Sequence, residues 1–318
     1  MIEQRDIDVA IVALALTRSG KLGPSTVRDL LLTLRNAATN GGFVAAQVME
    51  AAGVAPPEIN ASFAKSQADI LRGVEIGILP VHAGSHDYPF ALLDIADAPP
   101  LLYVRGKMAA LKTVPGVSVV GTRKATPNGL TIATRVAAFL SNANWTVVSG
   151  LALGIDAAAH EGALLGPSPT VAVLAHGLER AAPRANEPLA LRILEKGGAW
   201  VSEHPCGTTA RPEYFVQRNR IQVGLSAASV IVEGELRSGS MTQAEYCLRY
   251  RRELFAVLPS PGTVPSMQSE LPRMLATQRG AHVIRSREDY PLLDLVAKRK
   301  SLDLLNGSSG PAPALAAG

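Results

Sequence analysis

The chain has 318 residues, of which 47% are hydrophobic and 18% charged, with a formal net charge of +4. That length admits one large domain plus a smaller one, and the apolar share suits a globular chain with a sizeable core. No apolar run approaches the ~20 residues that span a bilayer, no secretory leader pattern opens the chain, and the two cysteines, Cys206 and Cys247, form no Cys-x-x-Cys pair; the expectation is a cytoplasmic protein with no membrane segment, disulfide framework or zinc site.

From Ile7 to about Ile78 the pattern is helical. Ile7 to Leu16 is apolar, Pro24 to Leu34 opens on proline and hydroxyl residues before a leucine face, and Ala61 to Gly73 reads as a further helix. Gly20-Lys-Leu-Gly23 is read as an interhelical turn in preference to a hairpin resting on a nucleic-acid backbone. Prolines break the periodicity between His86 and Gly106, leaving Leu101–Val104 as a strand. This segment is taken as the join between a helical N-terminal domain over residues 1–80 and a second domain over 81–290.

After Pro115 short β-branched runs alternate with Ala-rich helical stretches. Strands are expected at Val117–Val120, Thr146–Ser149, Thr170–Leu174, Trp200–Ser202, Ser229–Val232, Leu254–Val257 and His282–Ile284. Helices are expected at Leu130–Leu140, Asp156–Leu164, Leu189–Lys196 and Thr242–Tyr250. Strands buried on both faces and separated by helices imply right-handed crossovers, hence an α/β fold with a doubly wound, mainly parallel sheet. The remainder, 291–318, rich in Gly, Ser, Pro and Ala from Ser301, is expected to be a short disordered tail.

Three turns favour anions. In Val148-Ser-Gly-Leu-Ala-Leu-Gly-Ile-Asp-Ala-Ala-Ala-His160 a strand ends in Ser-Gly and an Asp opens a helix, the pattern by which glycines let backbone N–H groups approach a phosphate. Glu233-Gly-Glu-Leu-Arg-Ser-Gly-Ser-Met-Thr242 is a second such loop, and Val120-Gly-Thr-Arg-Lys124 sets two cations directly after a strand. In a doubly wound sheet ligands gather beyond the strand C-terminal ends, where all three turns fall. Arg123, Arg211, Arg218, Arg220 and Arg237 are placed in or beside loops, and guanidinium suits phosphate because it binds bidentately and keeps its charge. Asp156 and His160, four apart, share a helix face and are expected to hydrogen-bond each other rather than to hold a metal. Glu233 is expected to orient neighbouring loop groups rather than to act as a base. Neither a Walker Gly-x-x-x-x-Gly-Lys-Ser/Thr nor a first-turn Gly-x-Gly-x-x-Gly occurs, so neither ATP hydrolysis nor nicotinamide chemistry is indicated, and no cofactor is expected.

Taken in order, these motifs resemble the DprA/Smf family of bacterial DNA-processing proteins. The matching runs are Tyr88-Pro89, Pro100 to Gly106, Val119 to Arg123, Ser149 to Asp156 with His160, Thr170 to Leu174 with Gly177, Ser202-Glu203, Gln217 to Ile221, and Val230 to Glu233 with Ser238-Gly-Ser240. The resemblance covers roughly residues 80–290. It implies an extended Rossmann-like domain behind a sterile-alpha-motif-like helical region, and a role as a single-stranded DNA-binding protein that helps load a RecA-type recombinase in natural transformation. It implies a homodimer and no enzymatic activity. Carried over by position, Arg123 would clamp a phosphate and Lys124 add charge. Ser149, Gly150 and Gly154 would offer donors to another phosphate, Arg218, Asn219 and Arg220 would line the same pocket, Ser238, Gly239 and Ser240 would close it, and Phe215 would stack on a base. Where the family often has Tyr-Pro-x-x-Asn this chain has Ala182-Pro-Arg-Ala-Asn186; for Phe-Pro-x-Arg-Asn it has Phe215-Val-Gln-Arg-Asn219; for Val-Pro-Gly it has Val257-Leu-Pro-Ser-Pro-Gly262; and the tail is too short for the winged helix of many members. The alternative is a nucleotide-binding or nucleoside-monophosphate-hydrolysing protein of a related Rossmann-like group, the LOG or lysine-decarboxylase-like proteins. The position of that group's acid–base Glu is here Gln243, which cannot exchange a proton near neutral pH, although a shifted register would bring in Glu245.

Overall fold

In the computed structural model, residues 2–37, 43–113, 115–260 and 267–307 are described. Four helices come first: α1 (Gln4–Arg18), α2 (Pro24–Ala37), α3 (Ala45–Ala52) and α4 (Asn60–Glu75). α1 is buried along Ile7 and from Val9 to Leu16, so it is apolar on nearly every side and forms the centre of this layer. Gly20 to Gly23 is the expected interhelical turn.

The first strand, β1 (Ile78–His82), begins where the helical reading ended, and the expected domain boundary at residue 80 falls inside it. Then follow α5 (Phe90–Leu93), β2 (Leu101–Gly106), α6 (Ala109–Lys112), β3 (Gly116–Val120), α7 (Pro127–Asn142), β4 (Val147–Ser149), α8 (Ile155–Ala163), β5 (Thr170–Val173), α9 (Glu187–Glu195) and β6 (Ala199–Ser202). The chain continues through α10 (Pro212–Gly224), β7 (Ser226–Ile231), α11 (Gly239–Arg249), β8 (Glu253–Val257), α12 (Glu270–Gln278), β9 (His282–Ile284) and α13 (Tyr290–Leu305). α13 corrects the expected tail over 291–318. The small-residue composition belongs to the stretch after the helix, whereas α13 itself buries Tyr290, Leu293, Ala297 and Leu304 against the sheet layer. The Gly/Ser/Pro/Ala stretch from residue 308, like the Pro261-Gly262 departure, lies outside the described residues.

Among the described residues the strands form one sheet in the order β1-β2-β6-β5-β4-β3-β7-β8-β9. All pairings from β6 to β9 are parallel, while β2 meets both β1 and β6 antiparallel. This is the expected α/β, Rossmann-like architecture. Successive strand residues divide between two cores: Val117, Val119, Val147, Val230 and Phe255 face α7 and α13, whereas Val120, Val148, Ile231 and Ala256 face the opposite layer. The second of these clusters runs on without a break through β1 and β2 to Ile7, Ile11 and Leu14 of α1. Each fully buried Val, Leu or Ile contributes about 1.5–3 kcal/mol of transfer free energy, so the helices and the sheet edge stabilise each other.

From β3 the chain winds through β4 and β5 to β6, then α10 carries it back across to β7, on the other side of β3. Between β3 and β7 the winding direction reverses, which opens a crevice at their C-terminal ends.

Candidate functional site

A cleft of about 470 Å³ occupies that crevice, lined by residues 120–124 after β3, Ala152 and Asp156 after β4, Glu235 and Ser238 after β7, and side chains of α10 and α11. Arg123 and Lys124 are exposed at its mouth, and neither has an acidic partner among the described residues. The Arg123 guanidinium lies 5.3 Å from the centroid of the Phe215 ring. A cation over an aromatic face keeps both groups extended beside the opening.

Glu233, fully buried at the end of β7, holds this turn in place. Its carboxylate accepts from the Thr126 backbone N–H at 2.9 Å, the Thr126 hydroxyl at 2.7 Å and the Gln268 backbone N–H at 3.1 Å, while its carbonyl accepts from the Thr122 N–H at 2.9 Å. The expected orienting role of Glu233 is the one its contacts describe. Thr126 in turn caps α7, accepting from the Gly129 N–H at 3.0 Å.

The loop after β4 serves differently from the expectation. Ser149 is fully buried and its hydroxyl donates to the Val119 carbonyl at 2.8 Å. The Gly150 N–H donates to Asp156 Oδ2 at 3.0 Å. Gly154 has φ +79° and its Cα packs directly on the carbonyls of Thr122 and Arg123, so a side chain there would collide with backbone. These three residues therefore buttress the Arg123 turn from below, and the Ser149 hydroxyl and the Gly150 N–H are already engaged within the protein. Asn186 adds support, its amide donating to the Leu151 carbonyl at 2.8 Å.

Arg218, expected in or beside a loop, and Asn219 lie well inside α10, both buried. Arg218 donates to the Val173 carbonyl at 2.5 Å and to Gln222 Oε1 at 3.0 Å, and its Nε has no partner. It fills the space above Gly150, where any Cβ would overlap the guanidinium. Burial pulls the Arg218 pKa down to about 10, partly offset by the Asp156 charge, and burial likewise raises Asp156 above the usual carboxylate range. Both are buried on the cleft floor, where each feels the other's charge without a direct hydrogen bond. Asn219 donates to the Gly239 carbonyl at 3.0 Å and so ties α10 to the start of α11.

Arg220 faces away from the cleft. It donates to both carboxylate oxygens of Glu203, at 2.7 and 2.6 Å, and to the Asp97 carbonyl. This corrects its expected place beside Arg218: on a helix the two positions point about 200° apart. The expected Asp156–His160 bond is absent as well. Asp156 turns to Gly150, whereas His160 Nδ1 sits 2.7 Å from the Thr170 hydroxyl.

Ser238, Gly239 and Ser240 form the far wall, where the first N–H groups of α11 face the opening. Beneath them Gln243 donates to the Ser118 and Ser229 hydroxyls at 3.1 and 3.3 Å and accepts from Gln222 at 3.0 Å. The residue in the hydrolase glutamate's position is thus a neutral amide with both ends engaged, and Glu245 is exposed on the outer side of α11. Gln222, Gln243 and Asn186 were not singled out as structural supports, because a neutral polar side chain carries no sequence signal that tells burial from exposure. The thiols of Cys206 and Cys247 are buried and pushed up to about 11 and 12, which fits inert packing groups. Among the described residues no helix is long and apolar enough to cross a membrane, and no cluster of His, Cys, Asp and Glu fits a metal ion.

Comparison with known proteins matches residues 80–292 to the model of the family described as DNA recombination-mediator protein A. The chain is 36% identical over 215 residues to the Bacillus subtilis DNA processing protein DprA, a match spanning 68% of this chain and 71% of that protein. It is 38% identical over 209 residues to protein Smf of Escherichia coli, across 66% of this chain and only 54% of the relative. The crystal structure of DNA processing protein A from Streptococcus pneumoniae superposes with a TM-score of 0.71 at 29% identity, covering 87% of this chain and 95% of that one. The Helicobacter pylori DNA processing protein A, whose structure describes a single-stranded DNA binding mode, matches at TM-score 0.59 and 26% identity, covering 67% of this chain and 94% of that one.

Proposed function

The chain belongs to the DNA recombination-mediator protein A family, and on that premise we propose that its cleft holds single-stranded DNA during recombination. Arg123 and Lys124 meet phosphates at the mouth, the α11 N-terminus faces a further phosphate, and Phe215 offers a face to a base. The observation that carries this reading is the exposed, unpaired Arg123 standing over Phe215: one cation and one aromatic plane match the charge and the flat face of one nucleotide. Buried Arg218, bonded to the Val173 carbonyl and to Gln222 and filling the space over Gly150, supports the floor rather than touching DNA. Supported by the relatives, the chain acts as a recombination mediator. Delivery of the strand to a RecA-type recombinase, a homodimeric form and a cytoplasmic setting complete the proposal. The engagement of Gln243 favours binding over hydrolysis.

The test is fluorescence anisotropy of a labelled single-stranded oligonucleotide, with duplex competitor and a salt series. Preferential single-strand binding should fall linearly with log salt, at about −0.7 per phosphate contacted. Arg123→Ala should weaken all sequences alike and lessen that slope by roughly one contact. Absence of binding at low salt sinks the proposal.

A further inference from the structure

The first turn of α10 carries two aromatic residues in succession, Tyr214 and Phe215. Phe215 faces the cleft and Arg123, while Tyr214, about 100° round the helix, faces the end of β6. There the Tyr214 ring lies on the His204 imidazole, centroids 4.2 Å apart and planes tilted by 31°. The Arg211 guanidinium covers the same ring at 5.6 Å. Arg211 is exposed and, like Arg123, has no acidic partner among the described residues. The first turn of α10 therefore carries two cation–aromatic pairs, one on each side, both at the C-terminal edge of the sheet.

The second pair lies outside the cleft lining. His204 is anchored from below, its backbone N–H donating to Ser202 Oγ at 3.0 Å, and its Nε2 is buried without a partner. A neutral, anchored imidazole makes a firm base for the tyrosine ring, and Tyr214 itself is only half-buried. Another pair, Arg249 over Tyr246, sits at the C-terminal end of α11 and so at the opposite edge of the sheet, away from the cleft.

We infer that Tyr214, seated on His204, is a second nucleotide-stacking position for the strand held at Arg123 and Phe215: the exposed Arg211 side chain leaves the ring to meet a phosphate, and a base takes its place on the Tyr214 face. The strand then runs along the sheet edge from the β3–β7 crevice past the ends of β4 and β5 to β6. This inference rests on the proposed binding of single-stranded DNA.

The experiment scans a labelled oligothymidine with one abasic site moved along it, against wild type, Tyr214→Ala and Tyr214→Phe. Two separate sensitive positions are expected for wild type and for the phenylalanine variant. One is expected for Tyr214→Ala, with affinity for the intact oligonucleotide reduced about tenfold. Should Tyr214→Ala fail to fold, Arg211→Ala at an exposed position reads the same site, and its salt slope should lessen by roughly one contact. Wild type that binds no single strand overturns the function and this inference together. Wild type that binds, with the scan unchanged in Tyr214→Ala or the salt slope unchanged in Arg211→Ala, overturns the second position alone.

Discussion

Two residues on the floor of the cleft show how tightly its geometry is specified. Gly150 is the only residue type that leaves room for the Arg218 guanidinium, so Gly150→Ala should destabilise the protein by about 2–4 kcal/mol in a denaturant titration, and should weaken single-strand binding beyond the loss of folded protein. His160 is held neutral: burial, and after it the Arg218 charge, lowers its pKa from 6.5 to about 3. A depressed folded-state pKa means the unfolded chain takes up the proton first. The resulting stability is complete above pH 6.5 and is lost as pH falls toward 3, at about 1.4 kcal/mol per unit. Burial also lowers His176 and His204, which add a slope of the same sign. Denaturant midpoints measured from pH 7 to 5 should decline in wild type and decline less steeply in His160→Gln; equal slopes would refute the assignment. The sequence disclosed which residue types gather here but not what each one does. Ser149 and Gly150 look like phosphate donors by pattern, and only the positions of Val119 and Asp156 show that their hydrogen bonds are already made.

Legibility at the level of elements followed burial. The strands from β3 to β9 were found within three residues of their ends, because β-branched runs buried on both faces leave an unambiguous pattern. β1 was missed because Pro80 interrupts a short run directly after a long helix; proline is tolerated there because β1 is an edge strand. Helix α10 was missed for a different reason. Its buried side carries Arg218, Asn219 and Gln222 where apolar residues would mark a helix, so the segment that organises the cleft has a weak helical signature. Connections between elements are equally specific. Glu233→Ala removes the acceptor for three donors and should cost about 3 kcal/mol or more, together with looser placement of Arg123 that reads out as reduced single-strand affinity. Glu233→Gln keeps a carbonyl oxygen and should lose less in both measurements.

For the molecule as a whole, the apolar cluster that runs from α1 through β1 and β2 into the central strands predicts one cooperative unfolding event. Calorimetry should give a single transition; two resolved transitions would mean that the helices and the sheet fold as separate units. Cleft lining comes from residues between Val120 and Gln243, and none comes from α1 to α4. The structural match to the pneumococcal protein nevertheless extends well beyond the segment that the family model recognises. The N-terminal helices therefore owe the cleft only the support of a packed layer, which different sets of apolar side chains can supply. At the cleft floor the freedom is narrower and runs one way, because any side chain at Gly150 must first displace the Arg218 guanidinium.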